Sequence, residues 1–269
     1  MGRTAACRYA DDFRHSNRPE DMSPVKRFLR WIVERAGYVV HRAPSHRFDA
    51  METALKQMHQ GGYRPRVVID CGANTGQWFG IASSIFTESE FHLIEAQSEC
   101  WPALDGVAVK RGRTLVHRTA VTAPGATHVV MHRGGSEVST GAFVLTSSET
   151  FGVDVTSPAT TLDELFATRV QSTDRTLLKL DIEGHELQAL RGAAALLEHV
   201  EAVLIEVRFF DVNDSGRPVF SEAMAFLEAR DFHLFDIASL SGRRRDQRLW
   251  LGDAVFIRRG SSLGADTRR

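Results

Sequence analysis

Asp181, Glu183, His185 and Glu186 crowd the stretch L-K-L-D-I-E-G-H-E-L, Leu178 to Leu187. Glu206 follows at the end of the apolar run A-V-L-I-E-V. Carboxylates and an imidazole at this spacing can remove a proton from a hydroxyl or face a cationic group. Asp181, Glu183 and Glu206 are also a candidate ligand set for a divalent cation. Like charges so close disturb one another's pKa unless a cation or a hydroxyl substrate comes between them. The sequence leaves base and metal open. Glu186 reads differently, because an acid in the first turn of a helix complements the helix macrodipole.

A second stretch, V-V-I-D-C-G-A-N-T-G-Q from Val67 to Gln77, could hold a ligand. Its β-branched apolar run ends in Asp70, Gly72 and Gly76 bracket a turn, and a helix can start at Gln77. Glycines let backbone approach a ligand, and a helix start offers unpaired N–H groups. A phosphate loop needs a lysine after the last glycine, and Gln77 stands there. A dinucleotide turn prefers G-x-G-x-x-G, whereas Gly72 and Gly76 give G-x-x-x-G. An S-adenosylmethionine site accounts for the acid, since that ligand carries an ammonium and a sulfonium but no phosphate. Glu95 closes the next apolar run, F-H-L-I, where a carboxylate can accept both hydroxyls of a ribose. That position serves an NAD ribose equally well.

These groups need a scaffold that presents strand ends along one edge. Strands are expected at Val67, Phe91–Ile94, Thr114–Val121, Leu177–Leu180 and Ala202–Val207, with helices between them, notably His185–His199. This alternation predicts an α/β fold with a doubly wound, mostly parallel sheet whose ligands lie beyond the strand C-termini. Between the third and fourth strands, His128–Met131, Phe143–Leu145 and Val153–Val155 read as short strands, and Thr160–Phe166 as a helix. Phe232–Ile237 and Ala254–Arg258 read as an antiparallel C-terminal pair, joined by a loop holding Arg243, Arg244 and Arg245. Residues 1–47 read as a polar tail and an amphipathic helix, Pro24–Val40. That helix packs on its own domain or, less simply, touches a membrane surface. Residues 48–259 read as the enzyme domain and 260–269 as a tail.

Composition bounds the partners. With 33 Lys and Arg against 34 Asp and Glu, the formal charge of −1 gives no reason to expect nucleic acid. Cys7, Cys71 and Cys100 lie far apart, which suits a reducing cytoplasm better than a disulfide framework. No run approaches the ~20 apolar residues of a membrane span. The oligomeric state is open.

The glycine turn, T-T-L-D-E-L and K-L-D-I-E-G-H-E-L-Q-A-L-R-G-A, in this order, resemble the FkbM-type methyltransferase family over about Phe48 to Arg258. The resemblance implies a Rossmann-like class I methyltransferase that uses S-adenosylmethionine on a hydroxyl of a sugar, glycolipid or secondary metabolite. The family's usual E-P-x-P after the second strand is E-A-Q-S here. The implied cofactor set is Asp70, Gly72, Ala73, Asn74, Gly76, Glu95, Ala96, Ala120, Val121 and Asp181. The implied catalytic set is Asp181, His185, Glu183 and Glu206, with a divalent cation as an alternative to a base. An NAD-dependent oxidoreductase and an inactive S-adenosylmethionine-binding protein are the competing readings.

Overall fold

The computed structural model describes residues 51–133, 143–144, 153–211, 217–243 and 245–265, together with Ile32 and Arg35. The chain divides into two compact units, Met1–His46 and Arg47–Arg269. Ile32 and Arg35 of the first are helical. The rest of the helix expected from Pro24 and the S-E-V-S-T-G segment at Ser136–Gly141 lie outside the described residues. No described helix is long and apolar enough to cross a membrane.

In the second unit, helix α1 (Met51–Gln60) leads into β1 (Val67–Cys71), α2 (Gln77–Ile85), β2 (Glu90–Ile94), α3 (Trp101–Arg111) and β3 (Thr114–His117). An insertion follows: β4 (Ala120–Val121), β5 (His128–Arg133), β6 (Phe143–Val144) and β7 (Val153–Thr160). The chain then resumes through α4 (Leu162–Phe166), β8 (Thr176–Leu180), α5 (Glu186–Arg191), β9 (Val200–Arg208), α6 (Phe220–Glu228), β10 (Phe232–Gly242) and β11 (Leu249–Arg258). The main sheet has the order β10-β11-β9-β8-β1-β2-β3, and the insertion forms a separate sheet, β4-β7-β5-β6.

Strands β1, β2, β3, β8 and β9 are mutually parallel, while β11 runs antiparallel to both β9 and β10. Parallel strands are covered on both faces, so alternate residues enter two cores. Ile69, Leu178, Leu180 and Ile205 pack with Phe166, Leu190 and Leu227 of α4–α6. Val68, Leu177 and Leu204 pack with Leu55, Phe79 and Leu104 of α1–α3. All helices of these layers return the chain so that β1, β2, β8 and β9 end on one edge.

Two departures from the sequence reading bear on the site. The third strand, expected as Thr114–Val121, is split between the two sheets. Its partner β2 ends at Ile94, opposite His117. Ala120 and Val121 instead pair with Ala159 and Thr160 of β7, which satisfies their backbone groups. The helix expected over His185–His199 stops at Arg191 and resumes as a short 3₁₀ turn, Leu196–Glu198. Gly192 lies so close to β4 that a Cβ there would sit 2.1 Å from the Thr122 carbonyl oxygen. Asp163 then caps the new turn, accepting from the backbone N–H groups of Ala195 and Leu196 at 3.0 and 2.7 Å.

Candidate active site

Beyond the strand C-termini lies a cavity of about 360 Å³. The turn after β1 forms one wall. Gly72 (φ +79°), Asn74 (φ 48°) and Gly76 (φ +91°) all take left-handed backbone there. The Gly76 N–H closes the turn on the Ala73 carbonyl at 2.8 Å, and the Gly72 and Ala73 N–H groups hold the Ile94 carbonyl. A Cβ on Gly72 would lie 1.9 Å from the Asp181 carbonyl oxygen. Gly72 is therefore needed for the fold of the turn as well as for any ligand. Gly72→Val would accordingly disrupt the turn itself and not ligand binding alone.

Glu95 closes β2 and is tied to the same turn. Its carboxylate accepts from the Asn74 N–H at 2.7 Å and the Gln97 N–H at 2.8 Å. Burial raises its pKa, and those backbone donors oppose the rise. Ile94, Ala96, Ala120, Val121, Met131 and Ile182 give the cavity an apolar side. Met131 comes from β5 of the inserted sheet, so that sheet stands on the ligand edge.

The floor is an ion cluster set by strand register. Asp70 and Lys179 are paired neighbours on β1 and β8. Asp70 is 0% exposed and Lys179 is 2% exposed. The Lys179 ammonium stands 3.0 Å from Asp70, 3.4 Å from Asp181 and 3.2 Å from the Gly72 carbonyl, which accepts its hydrogen bond. Burial alone would lower the lysine pKa, but Asp70 and Asp181 outweigh it and keep the ammonium charged. The Trp78 ring lies 5.7 Å from the ammonium. The buried Trp78 indole N–H has no acceptor among the described residues.

Past Asp181 the chain enters a strained turn. Glu183 has φ 57° and lines the cavity. Burial, then the Asp181 charge, push its pKa up to about 7, with Arg208 opposing. Arg208, itself buried, lies 3.5 Å from Glu183 and 3.7 Å from Glu206. Burial and the charges of Asp181, Glu183 and Glu186 push Glu206 up to about 9. Glu186 is the structural acid expected, because its Oε1 accepts from the Ile182 and Gly184 N–H groups at 3.0 Å each. The His185 Nε2 is 2.9 Å from the Thr122 hydroxyl, and burial lowers its pKa to about 4.

Of the residues expected at the site, Gly72, Ala73, Asn74, Glu95, Ala96, Ala120, Val121, Asp181, Glu183 and His185 line the cavity. Asp70, Gly76 and Glu206 do not. Asp70 lies beneath the floor against Lys179, Gly76 starts α2, and Glu206 sits behind Glu183 against Arg208. Asp181, Glu183 and Glu206 were the candidate ligands of a divalent cation. Among the described residues no three His, Cys, Asp or Glu converge on an ion-sized site. Arg208 stands between Glu183 and Glu206, and Lys179 occupies the inner side of Asp181, so the acids are already met by fixed cations.

The methyltransferase FkbM domain matches residues 70–234, more than half of the chain. The chain belongs to the FkbM methyltransferase family. Its main sheet is accordingly the Rossmann-like sheet of class I methyltransferases, with antiparallel β11 inserted between β9 and β10. No curated protein sequence matches the chain. Among solved structures it is similar to the methyltransferase FkbM of Methylobacillus flagellatus, at 17% identity and a TM-score of 0.44, over 72% of this chain and 43% of that one. It thus spans less than half the length of that protein. It is also similar to the 1,6-didemethyltoxoflavin-N1-methyltransferase of Burkholderia thailandensis, at 15% identity and a TM-score of 0.43, over 90% and 91% of the two chains. That structure holds 1,6-didemethyltoxoflavin and S-adenosylhomocysteine.

The sequence reading missed Lys179, Trp78, Met131, Thr122 and Arg208. A lysine inside the apolar strand L-L-K-L was a usable signal, since a buried ammonium demands acids beside it. Met131 and Thr122 carried none, because only the placement of the inserted sheet brings them here.

Proposed function

We propose that this family member transfers a methyl group from S-adenosylmethionine to a hydroxyl of a small acceptor, a sugar, glycolipid or secondary metabolite. The observation that carries the reading is the division of one cavity into a glycine turn with a buried carboxylate, an apolar slot and an acidic mouth. Gly72, Ala73 and Asn74 wrap the methionine end. Glu95 accepts from the ribose hydroxyls. Ala120, Val121 and Met131 flank the adenine.

When bound, the cofactor supplies an electrophilic methyl on a sulfonium leaving group. The chain must align the acceptor oxygen with that methyl and take its proton. Alignment alone can contribute several kcal/mol. Asp181, held by Lys179, orients the hydroxyl. Glu183, with a pKa of about 7, would take the proton of the acceptor hydroxyl as that oxygen is methylated. His185 serves to hold Thr122 and the inserted sheet. Asp181 lies 3.4 Å from Lys179 and Glu183 lies 3.5 Å from Arg208, and these chain residues carry the proposed step.

Calorimetry with S-adenosylmethionine, S-adenosylhomocysteine and NAD tests the cofactor assignment. Both sulfur ligands should bind, and Glu95→Gln should weaken them by roughly tenfold or more through loss of charged hydrogen bonds. Binding of NAD alone would overturn the reading in favour of an oxidoreductase. Tight cofactor binding without turnover on any hydroxyl acceptor would mark an inactive binding protein.

A further inference from the structure

The edge that carries Asp181 also carries a cationic, aromatic platform outside the cavity described above. Strand β11 runs antiparallel to β9 with Leu251 opposite Arg208. The tip of the β10–β11 hairpin therefore projects past the C-terminal end of β9. Phe210, just beyond β9, is its base. The Arg248 guanidinium lies 3.8 Å from the Phe210 ring centroid and that of Arg243 lies 5.2 Å away. Arg243 is paired with Asp246, Nε to Oδ1 at 3.0 Å. The guanidinium of Arg248 makes no ion pair within 4 Å among the described residues, although Asp246, which pairs with Arg243, also feels its charge. Arg245 is exposed and has no hydrogen-bond or ion-pair partner there. Asp246 and Asp211, which follows Phe210, are the acids nearby in sequence.

An arginine stacked on an aromatic ring keeps its N–H edge free and fixed in orientation, which suits a phosphate or diphosphate oxygen. The platform is well separated from the acids. Glu206 pairs with Asp253, and Leu249 lies four residues further towards the tip. With ~3.3 Å rise per residue and ~4.8 Å between strands, the tip stands on the order of 15 Å from Asp181.

We propose that Arg245, Arg248 and Phe210 bind a phosphate or diphosphate group at the far end of the acceptor. This rests on the acid edge being the acceptor side of a methyltransferase. It makes the acceptor a phosphate-bearing or diphosphate-linked molecule long enough to span that gap, rather than a bare sugar. The same oxyanion chemistry could come from a soluble molecule or a lipid headgroup.

The test uses the full chain as wild type, as the double variant Arg245→Ala, Arg248→Ala, and as Arg66→Ala, an exposed arginine just before β1 on the opposite edge. Each is titrated calorimetrically with inorganic pyrophosphate. Each is also sedimented with phosphatidylcholine vesicles with and without phosphatidylglycerol. The wild type should bind an oxyanion probe saturably. The double variant should bind roughly tenfold or more weakly, as expected for loss of charge-assisted contacts, and Arg66→Ala should match the wild type. Pyrophosphate binding supports a soluble acceptor, and binding that requires phosphatidylglycerol supports a lipid-linked one. Failure of both probes, equal loss in Arg66→Ala, or an affinity for oligouridylate that climbs with its length would overturn the site. S-adenosylmethionine affinity should be unchanged in all three proteins. Its absence alongside intact pyrophosphate binding would overturn the methyltransferase reading and leave the anion site standing.

Discussion

At the scale of single residues, Glu183 combines left-handed backbone, a place on the cavity wall and a pKa of about 7. A side chain held at positive φ costs free energy that the surrounding contacts must offset, and such residues cluster at functional sites. As a base it works only when deprotonated. The kcat/KM of the wild type should therefore rise with pH and level off above about 7. Glu183→Gln should lose that limb and about 10²–10⁴-fold in rate, the usual worth of general-base catalysis. A wild-type limb that persists in the variant would assign the proton to another group. Lys179 makes a separate claim on stability. Replacing it with methionine removes the cation that holds the buried Asp70 carboxylate, which must then take up a proton or stay charged without a partner, at a cost of about 3–5 kcal/mol. Urea unfolding of Lys179→Met reads that cost directly, and a loss below ~1 kcal/mol would mean that Asp70 is not held as a charged partner.

At the scale of elements, the inserted sheet is joined to the turn from Asp181 to His185 by close backbone approach. Gly192, at the end of α5, touches the Thr122 carbonyl, and the Thr122 hydroxyl meets His185. Helix α5, strand β4 and the turn from Asp181 to His185 are therefore tied together by these contacts. Gly192→Ala forces a methyl into that contact and should destabilise the protein by roughly 1–3 kcal/mol, as overpacking does. Unchanged urea stability in that variant would show that the two elements can separate cheaply. The capping box at the start of α4 works on the same junction. The Thr161 hydroxyl accepts from the Glu164 N–H at 3.0 Å, and the Glu164 carboxylate accepts from the Thr161 N–H at 2.8 Å.

For the whole molecule, the crowded acid edge sets how stability depends on pH. Glu206 and Glu183 have folded-state pKa values raised to about 9 and about 7 from 4.5. Their contribution is fully present below the unfolded value and is lost as pH rises through the folded one. His185 and His117, lowered by burial to about 4 from 6.5, act in the opposite sense and lose theirs as pH falls. The two effects oppose each other in mild acid, and only the acids act above about 6.5. The Tm of the ligand-free protein should therefore fall between pH ~6.5 and ~9, and Glu206→Gln should remove much of that fall. Scanning calorimetry across that range checks the sign, and a Tm that rises would contradict the burial of these carboxylates.

The parallel sheet and its ligand edge were legible in the sequence because the apolar runs are short, β-branched and closed by Asp70, Glu95, Asp181 and Glu206. Strand ends on one edge follow from that alternation alone. The glycine turn was legible too, since only glycine accepts both the positive φ at Gly72 and the approach of the Asp181 carbonyl. Tertiary structure decided which acids face the cavity. Register placed Lys179 beside Asp70 and pulled that acid beneath the floor. Arg208 drew Glu206 away from the cavity, and Thr122 claimed His185. Met131 entered the wall from a separate sheet. Each of these depends on contacts between residues far apart in the chain, and local periodicity carries no information about such contacts.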